Sequence, residues 1–193
     1  MAGRRTRRAR PTGAPGGHPE DAPGDPESVA RSICLRQLAA APRTRAQLAD
    51  TLARRGVPDE VADRVLARFG EVGLIDDAMF AQAWVSSRHL GRGLAGRALS
   101  SELRQRGVDA QTTSEAVAAL DPDAEEAMAR ELVRRRLRSL GSVEPVVARR
   151  RLLGMLARKG YSAGLAYRVI REEVAADDSD PALADELLLP DDT

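Results

Sequence analysis

A pattern of two leucines, a basic residue and a glycine occurs three times in this 193-residue chain. It constrains the fold more than any other feature. Arg55-Gly56, Arg106-Gly107 and Lys159-Gly160 anchor it, 51 and 53 residues apart. Eight residues before each glycine stands Leu48, Leu99 or Leu152, and four before it Leu52, Leu103 or Leu156. One residue after comes Val57, Val108 or Tyr161; five after, Val61, Thr112 or Leu165; ten after, Leu66, Val117 or Ile170. Leucines four apart share one face of a helix, and the glycine releases the chain into a turn. The apolar set that follows belongs to a further helix. Three copies in register predict tandem helical units that share buried surface with their neighbours.

No segment alternates apolar and polar residues long enough for a strand; apolar residues recur at three and four instead. Ile33, Leu35, Leu38 and Ala39 mark a first helix that Pro42 ends. Thr44 suits the N-cap of a second, carrying Leu48 and Leu52 and stopping at Gly56. Pro58 and Asp59 start a third, with Val61, Val65, Leu66 and Phe69 inward. Aromatic residues make up 3% of the chain, so burial falls to Leu, Val and Ala, which suit helix packing. Residues 1–27 are rich in Gly, Pro and charge without apolar periodicity and read as disordered. The expected fold is all-α, an elongated tandem array of three three-helix repeats with disordered termini. Its parts are a basic tail over 1–28, repeats over 29–75, 76–121 and 122–175, and an acidic tail over 176–193.

Few residues could carry chemistry. Cys34 is the one cysteine, so neither an internal disulfide nor a four-cysteine zinc site can form. His18 and His89 lie far apart, a poor supply for a metal site or a triad. Gly91-Arg92-Gly93-Leu94-Ala95-Gly96 matches the dinucleotide pattern GxGxxG, but a helical segment, Phe80 to Leu90, precedes it where a strand is required. It reads as the turn between the first two helices of the middle repeat. The acid pairs Asp76-Asp77, Glu125-Glu126, Glu172-Glu173 and Asp177-Asp178 put adjacent residues on different helix faces, so none reads as an acid/base couple. Asp76 and Asp77 instead suit the start of a helix at Ala78. The expectation is a chain that is not an enzyme and takes no cofactor and no metal. No apolar run approaches the roughly 18 residues of a membrane span, and none follows the N-terminal arginines, so a soluble, cytoplasmic chain is expected.

Charge is balanced overall, at +1, but not locally. Residues 130–171 hold twelve bases against Glu131 and Glu144, whereas 176–193 hold seven acids and no base. Arg130, Arg134 and Arg138 form a stripe that Arg135 and Arg136 widen, opposite Leu132, Val133, Leu137 and Leu140. Arg149, Arg150 and Arg151 precede Leu152 in the next helix, where Met155 and Leu156 also point inward, and Arg158 and Lys159 close it. Arg88, Arg92, Arg97, Arg104 and Arg106 add charge to the middle repeat. Guanidinium groups grip phosphate and carboxylate in bidentate fashion. With few aromatics for stacking bases and few Asn or Gln beside the arginines for base edges, charge contact fits better than sequence reading. The helix-turn-helix pieces keep open an alternative, a stand-alone helix-turn-helix-type DNA-binding regulator.

The stretch Leu74-Ile75-Asp76-Asp77-Ala78-Met79-Phe80-Ala81-Gln82-Ala83-Trp84-Val85-Ser86-Ser87-Arg88 resembles the signature of the bacterial RecX regulatory family. The likeness continues through Glu102-Leu103 and Arg106-Gly107-Val108. The first repeat shares it in Pro42 to Leu48 and Gly56-Val57, and the third in Leu156 to Tyr161. The resemblance spans about residues 29–175, and both tails lie outside it. It implies three tandem three-helix repeats and a modulator that binds the RecA–DNA filament and restrains filament growth, ATP hydrolysis and strand exchange. Recombination, DNA repair and the SOS response follow as its setting. The expected partners are the RecA filament and single- or double-stranded DNA, with no membrane; a monomer is expected. The fifteen basic residues from Arg88 to Lys159 named above are the expected contacts.

Overall fold

The computed structural model describes residues 24–140 and 143–176. The expectations for the N-terminal arginines and for the acidic segment from Asp177 onward lie outside the described residues. Nine helices and no strand occur among those described: α1 (Pro26–Ala40), α2 (Arg45–Arg54), α3 (Asp59–Glu71), α4 (Asp77–Arg92), α5 (Gly96–Gln105), α6 (Ala110–Ala118), α7 (Pro122–Leu140), α8 (Pro145–Arg158) and α9 (Ala163–Ala176). They pack in threes, α1–α3, α4–α6 and α7–α9, and each trio builds its own core. The fold is the all-α tandem repeat that the threefold pattern demands.

The leucines of the repeat carry these cores. Leu48, Leu99 and Leu152, and four residues on Leu52, Leu103 and Leu156, are essentially solvent-free. Burying each stabilises its unit by roughly 2 kcal/mol. Val57, Val108 and Tyr161 are buried just past the turn. In the first turn of the third helix of each unit the buried position is one residue later than expected. Ala62, Thr113 and Ala166 are buried, whereas Val61, Thr112 and Leu165 are only partly so.

Two details of the first helix differ from the sequence reading. α1 begins at Pro26, capped by the Asp25 carboxylate, which accepts from the Ser28 amide at 3.1 Å. Residues 26–28 are therefore helical rather than part of a tail; Asp-Pro is itself a helix start signal. Leu35 faces solvent, and Ala30, Ile33 and Cys34 make the buried side instead. Elsewhere the local signals hold. Thr44 caps α2 in a full capping box with Gln47. Asp76 caps α4, whose first residue is Asp77. The Gly91–Gly96 segment joins α4 to α5, with Gly93 in the left-handed conformation at the end of α4. With helices on both sides it is a turn and not a βαβ phosphate loop.

The units meet through their turns. The Thr44 hydroxyl, at the start of α2, donates to the Arg106 carbonyl at 2.6 Å. The Ala95 amide, at the start of α5, donates to the Lys159 carbonyl at 2.8 Å. In both joints the acceptor is the basic residue before the repeated glycine, and the donor is the N-cap of the preceding unit's second helix. The glycine itself lies against that helix. A Cβ on Gly107 would sit 2.2 Å from the Ala46 Cβ, and one on Gly160 2.3 Å from the Ala98 amide nitrogen. Both residues also hold positive φ, 76° and 90°, so the turn and the contact each require glycine. The buried Tyr161 hydroxyl donates to the Gly93 carbonyl at 3.2 Å across the second joint, and burial, with the Glu125 carboxylate, pushes its phenol up.

Candidate partner-binding face

The fifteen basic residues singled out above divide into those the fold uses internally and those it leaves facing out. Arg130 and Arg134 belong to the first group. Both lie on α7 and reach α9, where Glu173 is 6% exposed. Arg134 donates to Glu173 through Nε and Nη2, and Arg130 donates to Glu173 at 3.2 Å and also to Glu126 and Glu172. Arg168 adds a further bond to Glu126. Burial by itself would raise the Glu173 carboxyl, but the hydrogen bonds from Arg134 and Arg130 outweigh it and hold the group below its ordinary value. The same contacts push Arg130 well above its usual range. Part of the stripe is thus a clamp between α7 and α9, although 55% of the Arg134 side chain stays exposed. Glu126 stands four residues before Arg130 on the same helix, but Glu172 and Glu173 come from some forty residues further along, where helical spacing around Arg130 could not reveal them.

Arg88 and Arg106 are likewise engaged. Arg88 Cζ lies 4.0 Å and Arg106 Cζ 3.7 Å from the centre of the Trp84 ring, at cation–π distance. Glu102 holds the arrangement: it accepts from Trp84 Nε1 at 2.8 Å and lies 3.3 Å from Arg88 Nε. Lys159 is half-buried, and its ammonium donates to the Arg92 carbonyl. Burial, then repulsion from Arg135, pushes that ammonium below its usual value.

What remains outward is concentrated on the third repeat. Arg136, Arg150, Arg151 and Arg158 line a cleft of about 520 Å³ together with Gly154 and Met155, and no acid contributes to it. Arg136 donates at 3.4 Å to Ser139; Arg150, Arg151 and Arg158 make no ion pair among the described residues. α7 and α8 supply these side chains because their apolar faces, Leu132, Val133 and Leu140 on one and Ala148, Leu152 and Leu156 on the other, are turned into the core. Arg135 and Arg138 are exposed on the same helix as Arg136, and Arg92, Arg97 and Arg104 are exposed on the middle repeat. Arg149 and Arg150 also border a second, more apolar groove between α8 and α9.

Nothing in this face resembles a reaction centre. His89 is buried, with Nδ1 2.9 Å from the Leu94 carbonyl oxygen, and Cys34 is buried with its thiol pushed up by desolvation. No cluster of three or more His, Cys, Asp or Glu able to hold a metal occurs among the described residues, and no helix among them is long and apolar enough to cross a membrane. Two contributors were not singled out by sequence reasoning: Arg43, which neighbours Arg106 across the first joint, and Glu102.

Three-helix units joined end to end, with guanidinium-rich surface on the last, define an all-helical repeat protein. The chain matches the RecX first three-helix domain over residues 30–69, the second over 76–117 and the third over 123–170. It belongs to the RecX family. The Regulatory protein RecX of Thermobifida fusca (strain YX) is 62% identical over 165 residues, 86% of this chain and 88% of that one. The Regulatory protein RecX of Streptomyces lividans is 55% identical over 158 residues, 82% and 84% of the two chains. The crystal structure of RecX from Lactobacillus salivarius superposes with a TM-score of 0.72 at 16% identity, covering 77% of this chain and 96% of that one. That likeness concerns the fold.

Proposed function

We propose that this protein binds the RecA–DNA filament and restrains RecA's growth, ATP hydrolysis and strand exchange, acting in recombination, DNA repair and the SOS response. Membership of the RecX family, with its three domains in order along the chain, carries this reading. The repeat array supports it: a linear series of units suits a partner that is itself a linear series. Several weak contacts along such a partner sum to strong binding. The contact residues on this reading are Arg136, Arg150, Arg151 and Arg158 of the acid-free cleft, with Arg135 and Arg138 beside it and Arg92, Arg97 and Arg104 on the middle repeat. The mechanism is steric and electrostatic, needs no cofactor or metal, and takes place in the cytoplasm with the protein acting as a monomer.

Co-sedimentation tests it. The protein is mixed with cognate RecA filaments on single-stranded DNA, with RecA alone, and with naked duplexes of unrelated sequence. Preferential pelleting with the filament and no preference among duplexes is expected. Tight, sequence-selective duplex binding without RecA, each wrong base pair costing roughly 1–3 kcal/mol, would instead identify a stand-alone DNA-binding regulator.

A further inference from the structure

We propose that Arg88 and Arg106, which lie over Trp84, form with Arg43 across the joint between the first and second repeats a binding site for the phosphodiester backbone of a DNA strand. The inference deepens the reading above by naming the chemistry met at one place on the array.

The cluster is built. Trp84 stacks on Phe80 at 5.7 Å and 12°, and its ring nitrogen is tied to Glu102. Arg88 and Arg106 lie over the indole, so the ring fixes the planes of both guanidiniums. Arg43 comes from the other repeat. It immediately precedes Thr44, whose hydroxyl is bonded to the Arg106 carbonyl, so the backbone of the joint fixes Arg43 and Arg106 relative to one another. The Nε atoms of all three arginines are shut off from solvent, and none makes a hydrogen bond.

The cluster is also under-neutralised. Glu102 is the one carboxylate that acts on Arg88 and Arg106, and it is itself divided between Arg88 and the indole N–H; Arg43 makes no ion pair among the described residues. Arg106 feels both other arginines as repulsive neighbours in a partly desolvated setting. A fold that needed these groups only for stability would pair them, as it pairs Arg130 and Arg134 with three glutamates. An oxyanion supplies the missing charge and accepts from several guanidinium edges at once.

A nucleic-acid phosphate fits better than a protein carboxylate for two reasons. The acid-free cleft of Arg136, Arg150, Arg151 and Arg158 lies on a different repeat. A DNA strand carries charge at regular intervals and so suits guanidinium patches repeated along an array, which a single carboxylate does not. The indole face is already covered by guanidinium, so no base stacks there, and recognition falls to the backbone. Binding at this site draws the two repeats together across their joint.

Trp84 is the one tryptophan of the chain, so its fluorescence reports on this site directly. The full chain is titrated with a short oligothymidylate in the absence of RecA, and fluorescence anisotropy of labelled DNA measures total binding in parallel. A saturable change in Trp84 emission is expected, weakening as salt rises. R43Q should lower the affinity about tenfold while leaving helix content and the emission of the free protein unchanged. R106Q should lower the affinity likewise but also shift the emission of the free protein, since it removes a group from the Trp84 ring; R43Q therefore carries the test. Polyglutamate at equal charge should give no saturable change. DNA binding with unaltered Trp84 emission, or wild-type affinity in R43Q, would overturn the proposal. An equal response to polyglutamate would assign the site to an acidic protein surface instead. RecA takes no part, so this site can fail while filament binding stands, and the reverse.

Discussion

The Thr44 hydroxyl and the Arg106 carbonyl oxygen are 2.6 Å apart, a single hydrogen bond spanning 62 residues of sequence and the joint between two separately cored units. The same hydroxyl accepts from the Gln47 amide at 3.2 Å and so also starts α2. One oxygen atom thus couples helix initiation in the first repeat to the turn of the second. T44V should lower stability by about 2 kcal/mol, combining a lost cap and a lost hydrogen bond. T44S, which keeps the hydroxyl, should cost a small fraction of that. Urea denaturation of the three proteins measures both differences.

The repeated glycines are equivalent in sequence but not in surroundings. Gly56, Gly107 and Gly160 all have positive φ, yet nothing lies within 4 Å of a Cβ placed on Gly56, whereas Gly107 and Gly160 lie against the neighbouring repeat. G56A should therefore pay only the left-handed backbone penalty of about 1–2 kcal/mol. G107A should cost markedly more, since its methyl overlaps Ala46, and should loosen the first joint. Thermal unfolding ranks the two variants; equal losses would show that the joint contact carries no energy.

The clamp between α7 and α9 gives the third repeat an acid dependence. The Glu173 carboxyl is held below its ordinary value of 4.5 in the folded chain. The unfolded chain therefore takes up a proton first as pH falls, and the stabilisation present above that range is lost on further acidification through the folded value. Melting temperature should fall below about pH 4.5, and E173Q should be less stable at neutral pH but flatter in its acid response. Circular dichroism melts across the acid range check this.

The clamp also decides which arginines report on partner binding. Reversing Arg134 leaves Glu173 facing a second carboxylate in a buried site, so that variant tests folding. R150E, R151E and R158E combined leave the clamp intact. This triple variant should keep its helix content and lose filament affinity by at least about tenfold, with a shallower dependence on salt. Co-sedimentation with RecA filaments reads the loss, and unchanged pelleting would place the contact face elsewhere.

Much of the architecture was legible because it is written in local and repeating signals. Leu48, Leu52 and Gly56 announce a helix and its end within nine residues, and their recurrence at Leu99 and Leu152 announces the array. The Asp-Pro start of α1 is equally local, but the Gly- and Pro-rich composition of the preceding segment runs up to it and masks the boundary. The state of the arginines was not legible in the same way. Arg130 and Arg138 sit on the same helical stripe, yet one is tied to three glutamates and the other is exposed. Two of those glutamates, Glu172 and Glu173, come from α9, so most of that difference depends on how α9 packs on α7, a long-range fact. Arg106 looks in sequence like Arg55, and only the presence of a preceding repeat places Arg43 beside it.

DNA-dependent ATP hydrolysis by cognate RecA, titrated with this protein from far below to equal concentration, tests the central claim most directly. Inhibition that is complete well below one molecule per RecA protomer is the predicted result, since one array restrains several protomers. Unchanged hydrolysis at equal concentration, with binding to naked DNA retained, would contradict it.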